Sequence, residues 1–286
     1  MEKLLNYLGY PADDLGYQIK AEEAKIAEAK AQLKDLQCLS KFVNMYNKLK
    51  DKKLFLKLAQ VEGCKPFHTE GSALTHTFLV FKEMYKLYPF SDILLITAML
   101  HDVGKIFTGR PKDGDPHNWE YPNHSGVGAQ YLNKFIDEDA LEFKTIQWLI
   151  LNHIKPLFWL KKGIIDTTPA PENDAWCSVE NLAILALCDI RGSISTESQQ
   201  ELEDFLKAIA FSNDDTKGTH GRRTVIGMKD GKFLVDVHCQ WCNNSRIVEV
   251  PVKEYIDFIV YNKSCHSLSE KDNFLLSELW CGCPPV

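Results

Sequence analysis

The sequence contains no uninterrupted apolar run of 18 residues, which argues against a membrane-spanning helix. Its opening, MEKLLNYLGY, lacks the basic, then apolar, then small-residue order of a secretory leader, so a cytoplasmic protein is expected. Basic residues are not in excess either. With 33 Lys and Arg against 39 Asp and Glu, the net charge of −6 argues against broad binding to a polyanion, which draws on clustered cations. A small phosphorylated ligand needs only a local cationic pocket and stays compatible. The nine cysteines are an odd number, and in a reducing compartment they read as thiols or metal ligands before disulfides.

What the chain does have is length and an apolar fraction of 45% over 286 residues, enough for one sizeable core with appendages. The stretch LLITAMLHDVGK, residues 94–105, sets His101 and Asp102 side by side at the end of an apolar helix. Neighbours on a helix project about 100° apart, so an imidazole and a carboxylate there can flank one ion. His76 lies upstream, in SALTHTFLVFKEM. His124 in NHSGVGAQYL, His153 in LILNHIKPL and Asp189 in LAILALCDIRGS lie downstream. All six offer nitrogen or oxygen, a donor set suited to Zn, Fe, Mn, Ni or Mg, and the group reads as a catalytic metal site. Asp189 is the most telling of them. A carboxylate on an apolar helix face costs several kcal/mol unless an ion or a partner such as Arg191 receives it.

Around these residues the pattern is helical. Residues 12–36 place Ile26, Ala29, Leu33 and Leu36 on one face, a seam for docking onto the chain's own domain or for a dimerising coiled coil. A second amphipathic helix is expected over residues 39–61, ended by Gly63 and Pro66. Further helices are expected over residues 70–88, from the Ser91-Asp92 cap to the doublet, and over 139–153, 179–190 and 199–211. The segment TGRPKDGDPHNWEYPN, residues 108–123, is dense in Gly, Pro and Asp and reads as a loop offering Arg110, Lys112, His117 and Trp119 to a substrate. Asn123 is expected to cap the helix that begins at His124, which favours His124 over His117 as a ligand.

After residue 212 the composition changes to alternating β-branched residues, with Asp230-Gly231 and Asn243-Asn244 as hairpin turns. Cys239-Gln-Trp-Cys242 forms a C-x2-C knuckle, and Cys281-Gly-Cys283 follows a short helix expected over residues 269–279. Four thiolates make a closed structural zinc site. The second pair is C-x-C, so Cys265, His266 or His238 stands as an alternative fourth ligand. The expected division is an N-terminal helical extension over 1–62, a helical domain over 63–212 and a β-rich module over 220–286.

His76, the His101-Asp102 doublet with Val103-Gly104-Lys105 behind it, and Asp189 resemble the H…HD…D motif of the HD-domain superfamily of metal-dependent phosphohydrolases. TEGSALTH, AMLHDVGKIFT and NHSGVGAQYL are most similar to the HD domain attached to bacterial tRNA nucleotidyltransferases, over roughly residues 68–195. The C-terminal tail resembles zinc ribbons of bacteriophage and bacterial proteins. The first resemblance implies a mainly α fold, an HD helical bundle, here with a small β-rich zinc-ribbon-like module. It implies one divalent ion (Mn, Ni, Mg, Fe or Zn) on His76, His101, Asp102 and Asp189, and a second completed by His124 and His153, with Asp102 bridging. The implied activity is hydrolysis of phosphomonoesters, nucleotides or cyclic phosphodiesters, with Lys105, Arg110, Lys155 and Arg191 as substrate contacts and RNA ends as a further substrate class. Nucleotide addition to tRNA is not carried over. Rival readings are a di-iron oxygenase with the same six ligands, a nucleotide sponge without turnover, and a nucleic-acid module led by the ribbon.

Overall fold

In a computed structural model, which describes residues 12–62, 70–171, 174–194, 198–212, 221–239 and 245–260, helices begin where the sequence supplies caps. Ser72, Ser91 and Ser178 each accept a hydrogen bond from the backbone N–H three residues on, at Thr75, Leu94 and Asn181. These bonds satisfy donors that a helix start leaves unpaired. The fold is mainly helical with a small three-stranded antiparallel sheet towards the C-terminus. None of the described helices is long and apolar enough to cross a membrane.

The chain divides into two compact units, Met1–Lys48 and Leu49–Val286. The first holds one long helix, α1 (Ala12–Lys48), on which Ile26, Leu33 and Leu36 are exposed. The sequence pattern suggested a helix boundary before residue 39 and a second helix running to residue 61. The structure instead runs α1 straight through to Lys48, then starts the short α2 (Lys52–Phe55) on Asp51, whose carboxylate accepts from Leu54 N–H. A 3-10 turn, Leu56–Gln60, follows. The apolar period survives across this break, but an Asp that can cap ends one helix and opens another.

In the second unit the bundle comprises α3 (Ala73–Leu87), α4 (Asp92–Leu100), the short α5 (Lys105–Thr108), α6 (His124–Gln130), α7 (Phe143–Asn152), α8 (Pro156–Lys162), α9 (Val179–Gly192) and α10 (Gln200–Ala210). α4 buries Leu94, Leu95, Ala98, Met99 and Leu100, an apolar surface too wide for a one-sided helix, and packs on α3 and α7. α9 packs on α3 and α10. The approach of α9 to α3 is close: a Cβ on Gly192 would lie 2.7 Å from the Val80 backbone nitrogen. Cys177 and Cys188 are buried free thiols.

Residues 108–123 are not a loop. They contain a hairpin, β1 (Arg110–Lys112) and β2 (Asp115–Glu120), turned at Asp113 and Gly114, both at positive φ (53° and 79°). Asp-Gly at two left-handed positions matches the turn that continues the twist of paired strands, a signal the density of Gly and Pro obscured. α7 also starts later than the sequence suggested, at Phe143 rather than residue 139.

The sheet is a meander of β3 (Gly221–Lys229), β4 (Lys232–Cys239) and β5 (Ser245–Pro251), followed by α11 (Val252–Ile259). Its first turn is Asp230-Gly231, at φ 49° and 72°, where the sequence pattern put it. Val225, Phe233, Val235, Val237, Val248 and Val250 form the buried face. Phe233 stacks on Phe205 of α10 with ring centroids 5.3 Å apart and meets Tyr255 of α11 edge-on at 5.5 Å. The sheet therefore shares a core with the last helix of the bundle. The Asn243-Asn244 turn, the helix expected over 269–279, and the proposed zinc ligands Cys242, Cys281 and Cys283, with Cys265 and His266, lie outside the described residues. So does the Cys239 side chain.

Candidate metal centre

The six candidate nitrogen and oxygen ligands meet. α4 ends at Leu100, and the doublet sits in the turn that follows, with His101 as the capping residue. His76 comes from the first turn of α3, Asp189 from the last turn of α9, His124 from the start of α6 and His153 from the residue that caps α7. They fall into two sets, each with its ligand atoms within 4.8 Å of one another: His76, His101 and Asp189, and Asp102, His124 and His153. Asp102 faces both. Its Oδ2 lies 3.4 Å from His101 Nε2 and 3.7 Å from His76 Nε2, while its Oδ1 lies 3.4 Å from His124 Nε2 and 3.9 Å from His153 Nε2.

Three of the imidazoles are oriented in the same way. His101, His124 and His153 each place Nδ1 on the carbonyl of the residue three before, Ala98, Tyr121 and Ile150, at 2.8, 2.9 and 2.7 Å. A carbonyl can only accept, so Nδ1 carries the proton and Nε2 turns a lone pair towards the centre. His76 does the equivalent with a carboxylate: its Nδ1 lies 2.9 Å from Oε1 of Glu70. The fit to a cation rests on this arrangement. His101 Nε2 is fully buried with no hydrogen-bond partner among the described residues, an orphan that a divalent ion would satisfy, and nitrogen with carboxylate oxygen is the donor set such ions prefer.

Electrostatics separate the two sets. Burial works against a charge on His76, but hydrogen bonds to Asp189 and then Glu70 overcome it and raise its pKa to about 9. The partner Asp189, 2.9 Å from His76 Nε2, is also buried, yet that hydrogen bond holds its carboxyl well below the usual range. Asp102 is likewise held low in spite of burial, first by Lys105 and then by His101. In the second set burial dominates. It lowers the pKa of His124, and it takes His153, with help from His124 and His101, down to about 3. Both are neutral imidazoles at pH 7.

Of the residues read as substrate contacts, Lys105 reaches the centre, with Nζ 2.6 Å from Asp102 Oδ2. Lys155, two residues past His153, is half-buried and makes no ion pair among the described residues. Arg191 does not serve Asp189: its Nε and Nη2 both donate to Oε1 of Glu203, at 3.0 and 2.9 Å. Arg110 is exposed and pairs with Glu120 across the hairpin at 2.7 Å. Asn123 occupies the capping position of α6 with φ 53°, but its side chain makes no capping bond. His124 is held instead by its own ring bond to Tyr121 and by the turn after the doublet. A Cβ on Gly104 would lie 1.9 Å from the His124 carbonyl oxygen. The side chain of His117 is outside the described residues.

Sequence reasoning missed Glu70. It stands six residues before His76, off any helical period, and faces the ring because Gly71, at φ +106°, redirects the chain ahead of the Ser72 cap. A glycine between an acid and a helix cap was the available signal.

A family model described as HD domain matches residues 74–190, which supports membership of that stretch in the HD-domain superfamily. No curated protein and no solved structure matches the chain.

Proposed function

We propose that the HD domain of residues 74–190 makes this chain a metal-dependent phosphohydrolase acting on nucleotides or cyclic phosphodiesters. The single observation that carries the reading is Asp102, which turns one carboxylate oxygen to each of two ligand sets. His76, His101, Asp102 and Asp189 would hold one divalent ion and His124 and His153, with Asp102, a second. Such ions, when bound, lower the pKa of a water towards neutrality and offset charge on phosphoryl oxygens. The chain's own residues prepare for this. Three Nδ1–carbonyl bonds and the His76–Glu70 pair fix the imidazoles before substrate arrives, so no reorganisation is needed at the moment of reaction. Lys105 brings a cation to the edge of Asp102, where it can pair with a phosphoryl oxygen, and Lys155 offers another from the turn after His153. Arg110 and Arg191 already spend their charge on Glu120 and Glu203 and are weaker contacts.

The same donors, four imidazoles and two carboxylates, also suit iron, which supports an HD-type di-iron oxygenase as the second reading. We also carry a structural zinc on Cys239, Cys242, Cys281 and Cys283, the closer likeness to tRNA nucleotidyltransferase HD domains, and a homodimer through the exposed apolar row of α1. The deciding experiment is a metal-supplemented screen of purified protein against mono-, di-, tri- and cyclic nucleotides, with Asp102→Ala alongside. Phosphate release or ring opening by wild type and its loss in the variant is expected. Equal turnover by both would sink the reading, and oxygen uptake by iron-loaded protein without phosphoester cleavage would move it to the oxygenase.

A further inference from the structure

Glu70 is not one of the six ligands, yet its side chain is as buried as theirs, at 1% exposure. Its two oxygens do different things. Oε1 meets His76 Nδ1 at 2.9 Å, and Oε2 accepts the backbone N–H of Ile194 at 3.1 Å. Ile194 lies just beyond the end of α9, five residues past Asp189. One carboxylate thus joins the ring of His76 to the chain that leaves the helix carrying Asp189.

We propose that Glu70 is a positioning residue for the first ligand set: it holds the Nδ1 proton of His76, so that Nε2 presents its lone pair to an ion, and it fixes the span between His76 and Asp189. This rests on the reading of the centre as a metal site. The other three histidines hold the same proton with a neutral carbonyl. A carboxylate makes the imidazole a stronger donor, and loss of such an outer partner weakens metal binding about 10–100-fold. His76 is the ligand for which the fold supplies an ion instead of a dipole.

Glu70→Gln separates positioning from simple packing, because an amide cannot satisfy both neighbours in the native tautomer. Its oxygen can accept from Ile194 N–H while its NH2 donates to His76 Nδ1, and the imidazole proton must then move to Nε2, where a metal would bind. The reverse orientation sets an NH2 against the Ile194 N–H. Calorimetric titration with Zn2+ should show one site of Glu70→Gln weakened roughly 10–100-fold and the other unchanged. The thermal midpoint of the metal-free variant should stay within a few degrees of wild type. Long-range 1H–15N correlations on zinc-loaded wild type, which do not depend on the variant folding, should find the His76 proton on Nδ1. The opposite tautomer, or two wild-type affinities in Glu70→Gln, overturns the assignment alone. Wild-type protein that takes up no Zn2+ overturns the metal reading and this assignment with it.

Discussion

His76 and Asp189 lie within α3 and α9, two helices pressed together closely enough that Gly192 must lack a side chain, whereas His124 and His153 sit at helix ends, held by their own turns. In the first set His76 and Asp189 depend on packing across the bundle and only His101 on its own turn; the histidines of the second depend on local geometry. Their charges differ in the same sense. The first set gathers Asp189 and Glu70 around His76 and stabilises a proton there, while the second offers neutral imidazoles that burial keeps from protonating. The first half of the centre therefore has a cation to release before an ion enters, and the second half does not. Asp102 faces both, and Lys105, at the start of α5, sets a cation against it.

The largest effect should come from the residue the halves share. Asp102→Ala removes a ligand from each set, and turnover should fall by more than about 100-fold, since even outer-shell partners of a metal cost about 10–100-fold. Elemental analysis of the dialysed variant should find neither ion retained; two retained ions would break the bridging assignment. Next come the single-set changes. His76→Ala should leave one ion, on the second set, and His153→Ala should leave one, on the first. If either variant still binds two, the sets are not independent. Smaller again is Gly104→Ala. The added methyl meets the backbone of His124, so α6 must shift at a cost of about 1–3 kcal/mol, and the second site should weaken while the first keeps its affinity.

The contrast also explains what the sequence disclosed. His76, the doublet and Asp189 were legible because each lies at or near the end of an apolar periodic segment, where a polar residue stands out against the pattern. His124 was found for a partly wrong reason. Asn123 does hold the capping position, but its side chain makes no bond there, and His124 is held by its ring bond to the Tyr121 carbonyl, with Gly104 approaching its backbone closely. The hairpin after α5 and the break at Asp51 were missed because composition was weighed above the two-residue turn and the cap. Glu70 was missed because its partner is reached through a reversal of the chain rather than along a helix. Arg191 reads from the sequence as a phosphate contact or a partner for Asp189, and the residues around it do not reveal Glu203 on the next helix. Side-chain choice between two partners is a tertiary decision, and the period of a helix does not contain it.

The smallest effect concerns protons and tests the electrostatic half of the comparison directly. In metal-free protein His76, with its pKa raised to about 9, adds stability that is fully present below the unfolded value of 6.5 and is lost as pH rises through 9. His153, lowered to about 3, acts in the opposite sense: the unfolded chain takes up its proton first, so stability falls as pH drops from 6.5 towards 3. Thermal midpoints should accordingly decline on both sides of neutrality, and His76→Ala should flatten the alkaline decline while leaving the acid one. Metal binding is then linked to pH unequally. At pH 7 an ion entering the first set displaces the proton on His76 Nε2, whereas one entering the second displaces none from His124 or His153. Calorimetry of His153→Ala in buffers of different ionisation enthalpy should report close to one proton released per ion, and His76→Ala close to none. Equal release from the two variants would mean that the halves, though built from different parts of the fold, are electrostatically alike.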